Sequence, residues 1–145
     1  MVAGASHQFF SHMITKHLIE ESNRADEAHK LFGIRFLWIE SFVFDTAGSL
    51  SSDYDGGLWT FNALSNGGFY MAPISPDSFT VSCDNGFNGA LSAQAFGITA
   101  CLYAYSLLSF SPNPELAEKC AAHYHRLRAF ALEHREAKDI LAAID

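Results

Sequence analysis

The stretch GGLWTFNALSNGGFYMAP, residues 56–73, decides the fold of this chain. Aromatic and polar residues alternate over residues 58–64, as they do along a strand with one buried face. Residues 65–68 then supply a turn, because Asn and Gly tolerate a positive φ at little steric cost. The extended pattern resumes at residue 69. The block therefore predicts a β-hairpin near residues 57–72.

The segments around the hairpin predict one further strand and several helices. Pro73 and Pro76 end the hairpin, and residues 78–83 alternate again as a third strand. Apolar residues at helical spacing predict helices over residues 25–32, 34–45, 93–108, 114–132 and 136–144. The expected fold class is α+β, with a small antiparallel sheet of about three or four strands packed against about four helices.

The helix predicted over residues 34–45 is rich in large apolar residues. Ile34, Leu37, Trp38 and Phe42 share one face at helical spacing, and further aromatic residues extend around it. We expect a largely buried helix that directs this face to the core.

Length and charge limit the function classes. A chain of 145 residues has the usual size of one domain, so we expect a single domain over residues 1–145, with residues 1–14 as a loosely attached N-terminal extension. The net charge of −7 comes with no Lys/Arg cluster, so direct nucleic-acid binding is not expected. The acids are scattered, which also disfavours imitation of DNA.

Cysteine usage and hydropathy indicate the compartment. Cys83, Cys101 and Cys120 lie far apart, with neither CxxC spacing nor an even count, so a disulfide framework is not expected. The N-terminus lacks the pattern of a secretory signal, and no apolar stretch reaches the roughly 18 residues needed to span a bilayer. We therefore expect a cytoplasmic protein without membrane partners.

Catalytic, metal and cofactor sites are not recognisable in the sequence. His123 and His125 are two apart on a predicted helix and point in different directions, so they cannot chelate one ion from it. Asp55, Asp84 and the Gly86–Gly89 loop before a helix leave one alternative open, a small hydrolase or anion-binding enzyme. Turn formation also explains these residues. We expect no catalytic residue, no metal and no cofactor.

The central block carries a resemblance to a known family. Residues 54–61 and 64–73, YDGGLWTF and LSNGGFYMAP, look like the signature of the ArdB/KlcA antirestriction family. Weaker similarities flank it, at residues 31–33 followed by a helix bearing Glu40, at residues 92–98 and at residues 142–145. The resemblance covers roughly residues 15–145. It implies a small α+β protein of plasmids or other mobile elements that protects incoming DNA from type I restriction enzymes, without cofactor or chemistry.

The family resemblance leaves the mode of action open. We hypothesise that the protein binds the type I restriction complex, or a factor controlling it, because the hairpin carries more aromatic residues than a two-stranded ribbon needs. The alternatives are that these aromatics fill the core, or that the chain is a plain interaction domain. The candidate interaction surface consists of Tyr54, Asp55, Trp59, Asn66, Phe69 and Tyr70.

Overall fold

A computed structural model of the chain describes residues 13–145. Most of the N-terminal extension expected over residues 1–14 therefore lies outside the described residues. Within the described residues, five strands are present: β1 (Lys16–Ile19), β2 (Trp59–Leu64), β3 (Phe69–Pro73), β4 (Phe79–Ser82) and β5 (Asn88–Leu91). Five α-helices accompany them: α1 (Arg24–Phe32), α2 (Phe36–Leu50), α3 (Ala93–Leu108), α4 (Pro114–Leu132) and α5 (Ala137–Ile144). The predicted α+β class is confirmed.

The predicted hairpin is formed by β2 and β3. The two strands pair antiparallel from Trp59↔Pro73 to Ala63↔Phe69. Gly67 has φ 87° in the turn, a backbone conformation that favours glycine. The side chain of Asn66 accepts a hydrogen bond from Gly68 N–H at 3.0 Å, which closes the turn.

Two strands, β1 and β5, were not predicted. β1 pairs antiparallel with β2, so the three-stranded sheet has the order β1-β2-β3. In β1 the single buried residue is Ile19, so the segment shows none of the alternation that marks a half-buried strand. Ile14, which precedes β1, is bound to the α4–α5 connection as well, because its N–H donates to the Glu133 carboxylate at 2.9 Å.

The strand predicted over residues 78–83 lies in a separate sheet. It corresponds to β4, which pairs with β5 from Phe79↔Leu91 to Ser82↔Asn88. Residues 85–89, interpreted from the sequence as a connection leading into a helix, form the turn of this second hairpin and the first part of β5. The strands therefore form two small sheets rather than one.

Helix α3 covers β3, the edge strand of the larger sheet. The Tyr105 hydroxyl donates to the carbonyl oxygen of Phe69 at 2.8 Å, and Met71 N–H donates to the sulfur of Cys101 at 3.4 Å. These contacts satisfy backbone groups that β2 does not reach, so the edge is closed to other strands. Eleven of the sixteen residues of α3 are buried, which places this helix at the centre of the core.

The face of α2 that packs against the core differs from the prediction. The structure buries Ile39, Val43 and Ala47, whereas Leu37 and Trp38 are 68% and 64% exposed. Ile34, in the turn before the helix, is 80% exposed. Because large apolar residues occur nearly all round this segment, spacing alone could not identify its buried stripe. The predicted face is therefore wrong for Ile34, Leu37 and Trp38, which become surface, whereas Phe42 is half-buried against the core.

Candidate functional site

An open groove of about 580 Å³ lies between α1, the start of α2 and the residues that enter β2. We refer to it as the α1–α2 groove. Its size falls in the range of ligand and peptide pockets. The apolar side chains that line it include Ile34, Leu37, Phe44, Leu58, Trp59 and Phe61.

The rim of the groove exposes large apolar side chains. Leu58 is 77% exposed, and it faces the groove together with the exposed Ile34 and Leu37. Trp38, next to Leu37 on α2, is also exposed but does not line the groove. Single exposed apolar residues are common on protein surfaces, but several gathered at one concave site are typical of binding sites. The α1–α2 groove is therefore the candidate functional site.

Arg24 forms one polar wall of the groove. Its Nη2 donates to the carbonyl oxygen of Trp59 at 2.9 Å, and its guanidinium lies 4.7 Å from the centre of the Phe61 ring. The first contact holds α1 against β2, and the second adds a cation–π interaction. Within residues 13–145 its buried Nε has no hydrogen-bond partner. The hydrogen bond to Trp59 and the contact with the Phe61 ring hold the arginine against the protein.

Glu40 forms the other polar wall. It lies on α2 and lines the groove in a partly buried position. Burial raises the pKa of its carboxyl, while the charge of Arg24 acts in the opposite direction. The ion pairs within residues 13–145 do not include one between these two side chains. The groove therefore presents a carboxylate that water solvates incompletely and that Arg24 does not fully compensate.

The six residues of the predicted interaction surface do not form one exposed face. Trp59, Phe69 and Tyr70 are each at most 4% exposed, so a partner cannot reach them in this structure. Tyr54 is half-buried, and its hydroxyl accepts a hydrogen bond from the Trp59 indole N–H at 3.2 Å. Asp55 and Asn66 are exposed, but they lie beyond opposite ends of β2.

The buried hairpin aromatics form part of a packed aromatic cluster. Phe69 meets Phe32, Phe36 and Phe61 edge to face, with ring centres 5.4, 5.9 and 5.5 Å apart. Such pairs stabilise a core beyond the area they bury. The alternative that these aromatics fill the core therefore describes the structure, and the exposed apolar residues come from α2 and from Leu58 instead.

The residues of the hydrolase alternative are not brought together. Asp55 lines a polar cavity with Asp53 and Asp77, whereas Asp84 lines another beside Tyr103. Among the residues that the structure describes, neither cavity is lined by a His, Lys or Arg that could act as a base or bind an anion.

The Gly86–Gly89 loop also has a structural role. It turns β4 into β5, and the preceding Asn85 fastens it to α5 by donating to the carbonyl oxygens of Ala142 and Ala143 at 3.0 and 3.1 Å. Because β5 separates this loop from α3, the loop does not place an anion at that helix N-terminus.

Two features are absent from residues 13–145. No group of three or more His, Cys, Asp or Glu side chains in this part of the chain is arranged to hold a metal ion. None of the helices described is both long enough and apolar enough to cross a bilayer.

The groove itself was not predicted from the sequence. Its walls come from three separate segments, near Arg24, Glu40 and Leu58, and only the fold brings them together. One signal was present in the sequence: Glu40 is an acid within the apolar run of residues 36–44, where an unneutralised charge is unusual.

Comparison with known proteins gives consistent results. A family model described as "Antirestriction protein" matches residues 52–145. The chain is 43% identical over 132 residues to an antirestriction protein KlcA of Escherichia coli, covering 88% of this chain and 90% of that protein. A second KlcA of Escherichia coli is 38% identical over 135 residues, covering 91% of this chain and 95% of the relative.

A solved structure is also similar along most of its length. It superposes with a TM-score of 0.85 at 38% identity and covers 91% of this chain and 95% of that chain. It comes from work on the KlcA and ArdB proteins, which are described as having a novel fold and antirestriction activity against Type I DNA restriction systems in vivo but not in vitro.

Proposed function

Because the chain belongs to the antirestriction protein family, we propose that it protects incoming plasmid or mobile-element DNA from type I restriction in the host cytoplasm. The observation that carries the proposal is the similarity, over nine-tenths of the chain, to proteins with this activity in vivo. The proposed mode of action is binding rather than catalysis. It is supported by the arrangement of Asp55 and Asp84, which lie in separate cavities without a basic partner among the described residues.

The difference between the relatives' activity in vivo and in vitro indicates what kind of target the chain binds. The KlcA and ArdB proteins are described as active in vivo but not in vitro. A direct inhibitor of a purified enzyme would act in both settings, whereas a protein that works through a further cellular component would act only in cells. We therefore propose that this chain binds a factor controlling the type I enzyme, or a state of the enzyme complex that exists only in the cell.

The α1–α2 groove is the proposed binding surface. It gathers exposed apolar side chains from α2 and from the segment before β2. The aromatic residues of the hairpin are buried, so they are not available to a partner. Binding energy in protein interfaces comes mainly from a few large side chains near the centre of the contact. Leu37 and Leu58 are such side chains here.

Plating of unmodified phage tests the function. Cells that carry a type I restriction system are compared with and without expression of this chain, and a strain without the system gives the maximum plating efficiency. We expect expression to raise plating of unmodified phage toward that maximum and to leave modified phage unaffected. Unchanged restriction at a verified level of folded protein would contradict the proposal.

A second experiment separates the two targets. Purified type I enzyme is assayed on unmodified DNA with this chain alone, and then with this chain and an extract of cells that lack restriction. Inhibition that requires the extract supports a separate controlling factor, and no inhibition in either assay supports a state of the enzyme complex that exists only in the cell. Inhibition by the chain alone would contradict both targets.

A further inference from the structure

The α1–α2 groove carries two accessible kinds of chemistry, and together they define what it can bind. Leu37 and Leu58 expose aliphatic surface at its rim, and Glu40 contributes a carboxylate to its wall. An apolar ligand alone would bury this carboxylate without a partner, which is unfavourable. The groove therefore favours an occupant that is apolar and also carries a donor for Glu40.

The charge of that donor follows from Glu40. Among the described residues that line the groove, Glu40 is the one acidic side chain, and no ion pair within residues 13–145 joins it to Arg24. The Arg24 guanidinium instead lies against Phe61 and donates to the carbonyl oxygen of Trp59. The chain as a whole has a net charge of −7. The unpaired carboxylate and the overall charge both favour a cationic partner.

We propose that the α1–α2 groove binds a short segment of a partner protein in which an aliphatic or aromatic side chain stands within about one helical turn of a lysine or arginine. The apolar side chain packs between Leu37 and Leu58, and the cationic group pairs with the carboxylate of Glu40. This inference rests on the proposed function, because it specifies the chemistry of the partner through which the protein acts.

Selection from a random peptide library tests the chemistry directly. A phage-displayed library of random twelve-residue peptides is selected on the wild-type protein and counter-selected on the Leu37→Asp variant. We expect enrichment of peptides that pair Leu, Ile or Phe with a nearby Lys or Arg. Enrichment of acidic or purely apolar peptides, or no enrichment that depends on Leu37, would overturn the proposal.

A change of charge at Glu40 sharpens this test. The enriched peptides should bind the Glu40→Gln variant at least about tenfold more weakly, the loss typical of one charged contact at an interface. A Glu40→Lys variant should lose them and bind synthetic versions in which the basic residue is replaced by Glu. Equal affinity for all three proteins would show that Glu40 does not select the ligand.

A matched pair of surface variants tests the groove in cells. Leu37 is 68% exposed in the groove and Leu132 is 53% exposed on α4 outside it, so Asp at either site should leave the fold intact. We expect Leu37→Asp to lower protection of unmodified phage at least about tenfold, as loss of a central interface residue does, and Leu132→Asp to leave it unchanged. Circular dichroism and thermal melts confirm that both variants fold.

The possible results separate this inference from the proposed function. If the wild type protects and Leu37→Asp protects equally, the groove proposal is wrong while the function stands. If the wild type gives no protection, the function is wrong, and the peptide selection still decides whether the groove has the proposed chemistry. Sedimentation velocity tests a competing occupant: a wild-type dimer that Leu37→Asp dissociates would assign the groove to a second copy of this chain and overturn the proposal.

Discussion

Gly97 of α3 lies directly against the carbonyl oxygen of Met71 in β3, at a separation that leaves no room for a side chain. A Cβ atom at Gly97 would collide with this oxygen and would lie 2.5 Å from the Cα of Ala72. The backbones of helix and strand thus touch at the centre of the core. The Tyr105 and Cys101 contacts to the edge of β3 depend on this close approach.

Gly97→Ala should therefore destabilise the protein, although alanine is the better helix former. Relief of the collision requires α3 to move away from β3, and forced overpacking of this kind typically lowers the free energy of unfolding by about 1–3 kcal/mol. Chemical denaturation of both proteins measures the change. The control is Gly48→Ala in α2, where a new Cβ meets no atom within 4 Å. That variant should gain up to about 1 kcal/mol from helix propensity. A neutral effect at Gly97 would disprove the close packing.

Tyr105→Phe tests how much the hydrogen bond from Tyr105 to the edge of β3 adds to the free energy of unfolding. The substitution removes the hydroxyl that donates to the Phe69 carbonyl and leaves that buried acceptor without its partner. We expect a loss of about 1–3 kcal/mol in the free energy of unfolding, the usual penalty for an unsatisfied buried group. Tyr124→Phe, at a half-buried tyrosine of α4, is the control and should stay within about 0.5 kcal/mol of the wild type.

His123 should make the stability depend on pH. Its ring is 2% exposed and stacks on Phe32 with centres 4.2 Å apart. Burial and, to a lesser extent, the charge of Arg126 together lower the pKa of His123 to about 4, although a hydrogen bond with the backbone of Leu31 acts in the opposite direction. The unfolded chain therefore binds a proton more readily than the folded one does.

The sign and range of the effect follow from this difference. The contribution of the neutral His123 ring to the free energy of unfolding is complete above the unfolded pKa of about 6.5. It is lost as the pH falls toward 4, by about 3 kcal/mol in total. Urea unfolding between pH 7.5 and pH 4.5 measures the slope. His123→Gln should flatten it, whereas His125→Gln, at an exposed position of the same helix, should not. An unchanged slope in His123→Gln would assign the effect to other groups.

Glu40→Gln should raise the stability of the folded protein at neutral pH. Burial raises the pKa of Glu40, so the folded state disfavours the ionised carboxyl that is present at pH 7. This penalty is complete above the folded pKa and disappears as the pH falls below the unfolded value of about 4.3. Denaturation midpoints at pH 7 and pH 4 should therefore differ between variant and wild type mainly at pH 7. Glu118→Gln, at an exposed site on α4, is the control, and a less stable Glu40→Gln would contradict the interpretation.

The sequence predicted those parts of the fold that local patterns determine. The hairpin followed from alternation and from the turn at Asn66, and α4 followed from its cap, since Asn113 accepts from Leu116 N–H at 3.0 Å with Pro114 at the first helical position. The strand β1 was missed because it takes its stability from pairing with β2 and buries only Ile19. Local sequence carries little information about such a strand.

The candidate site depended on packing that the sequence does not encode locally. On α2 both faces are apolar, so the choice between burying Leu37 and burying Ile39 is made by the partners α3 and β2. The hairpin aromatics were a comparable case: Trp59 and Phe69 could serve a core or an interface, and only their neighbours decide. In both cases the structure shows which residues are buried, and it leaves Leu37 exposed in the groove.

Leu58 and Trp59 provide the final test, because they are adjacent in sequence and opposite in exposure. Leu58 is 77% exposed and Trp59 is 4% exposed, with its ring packed edge to face on Phe44 at 5.2 Å. Trp59→Ala should lower the free energy of unfolding by about 3–5 kcal/mol, as large-to-small changes in a core do. Leu58→Ala should stay within about 0.5 kcal/mol of the wild type and should still reduce protection of unmodified phage, since it removes aliphatic surface from the groove.

Thermal melts and plating efficiencies of the two variants together decide between core and interface. For Trp59→Ala, any loss of protection should parallel the fraction of protein that is unfolded at the growth temperature. For Leu58→Ala, protection should fall while the melting temperature stays close to that of the wild type. If Leu58→Ala protects fully, the binding surface lies elsewhere; if Trp59→Ala melts like the wild type and fails to protect, the indole contacts the partner after all.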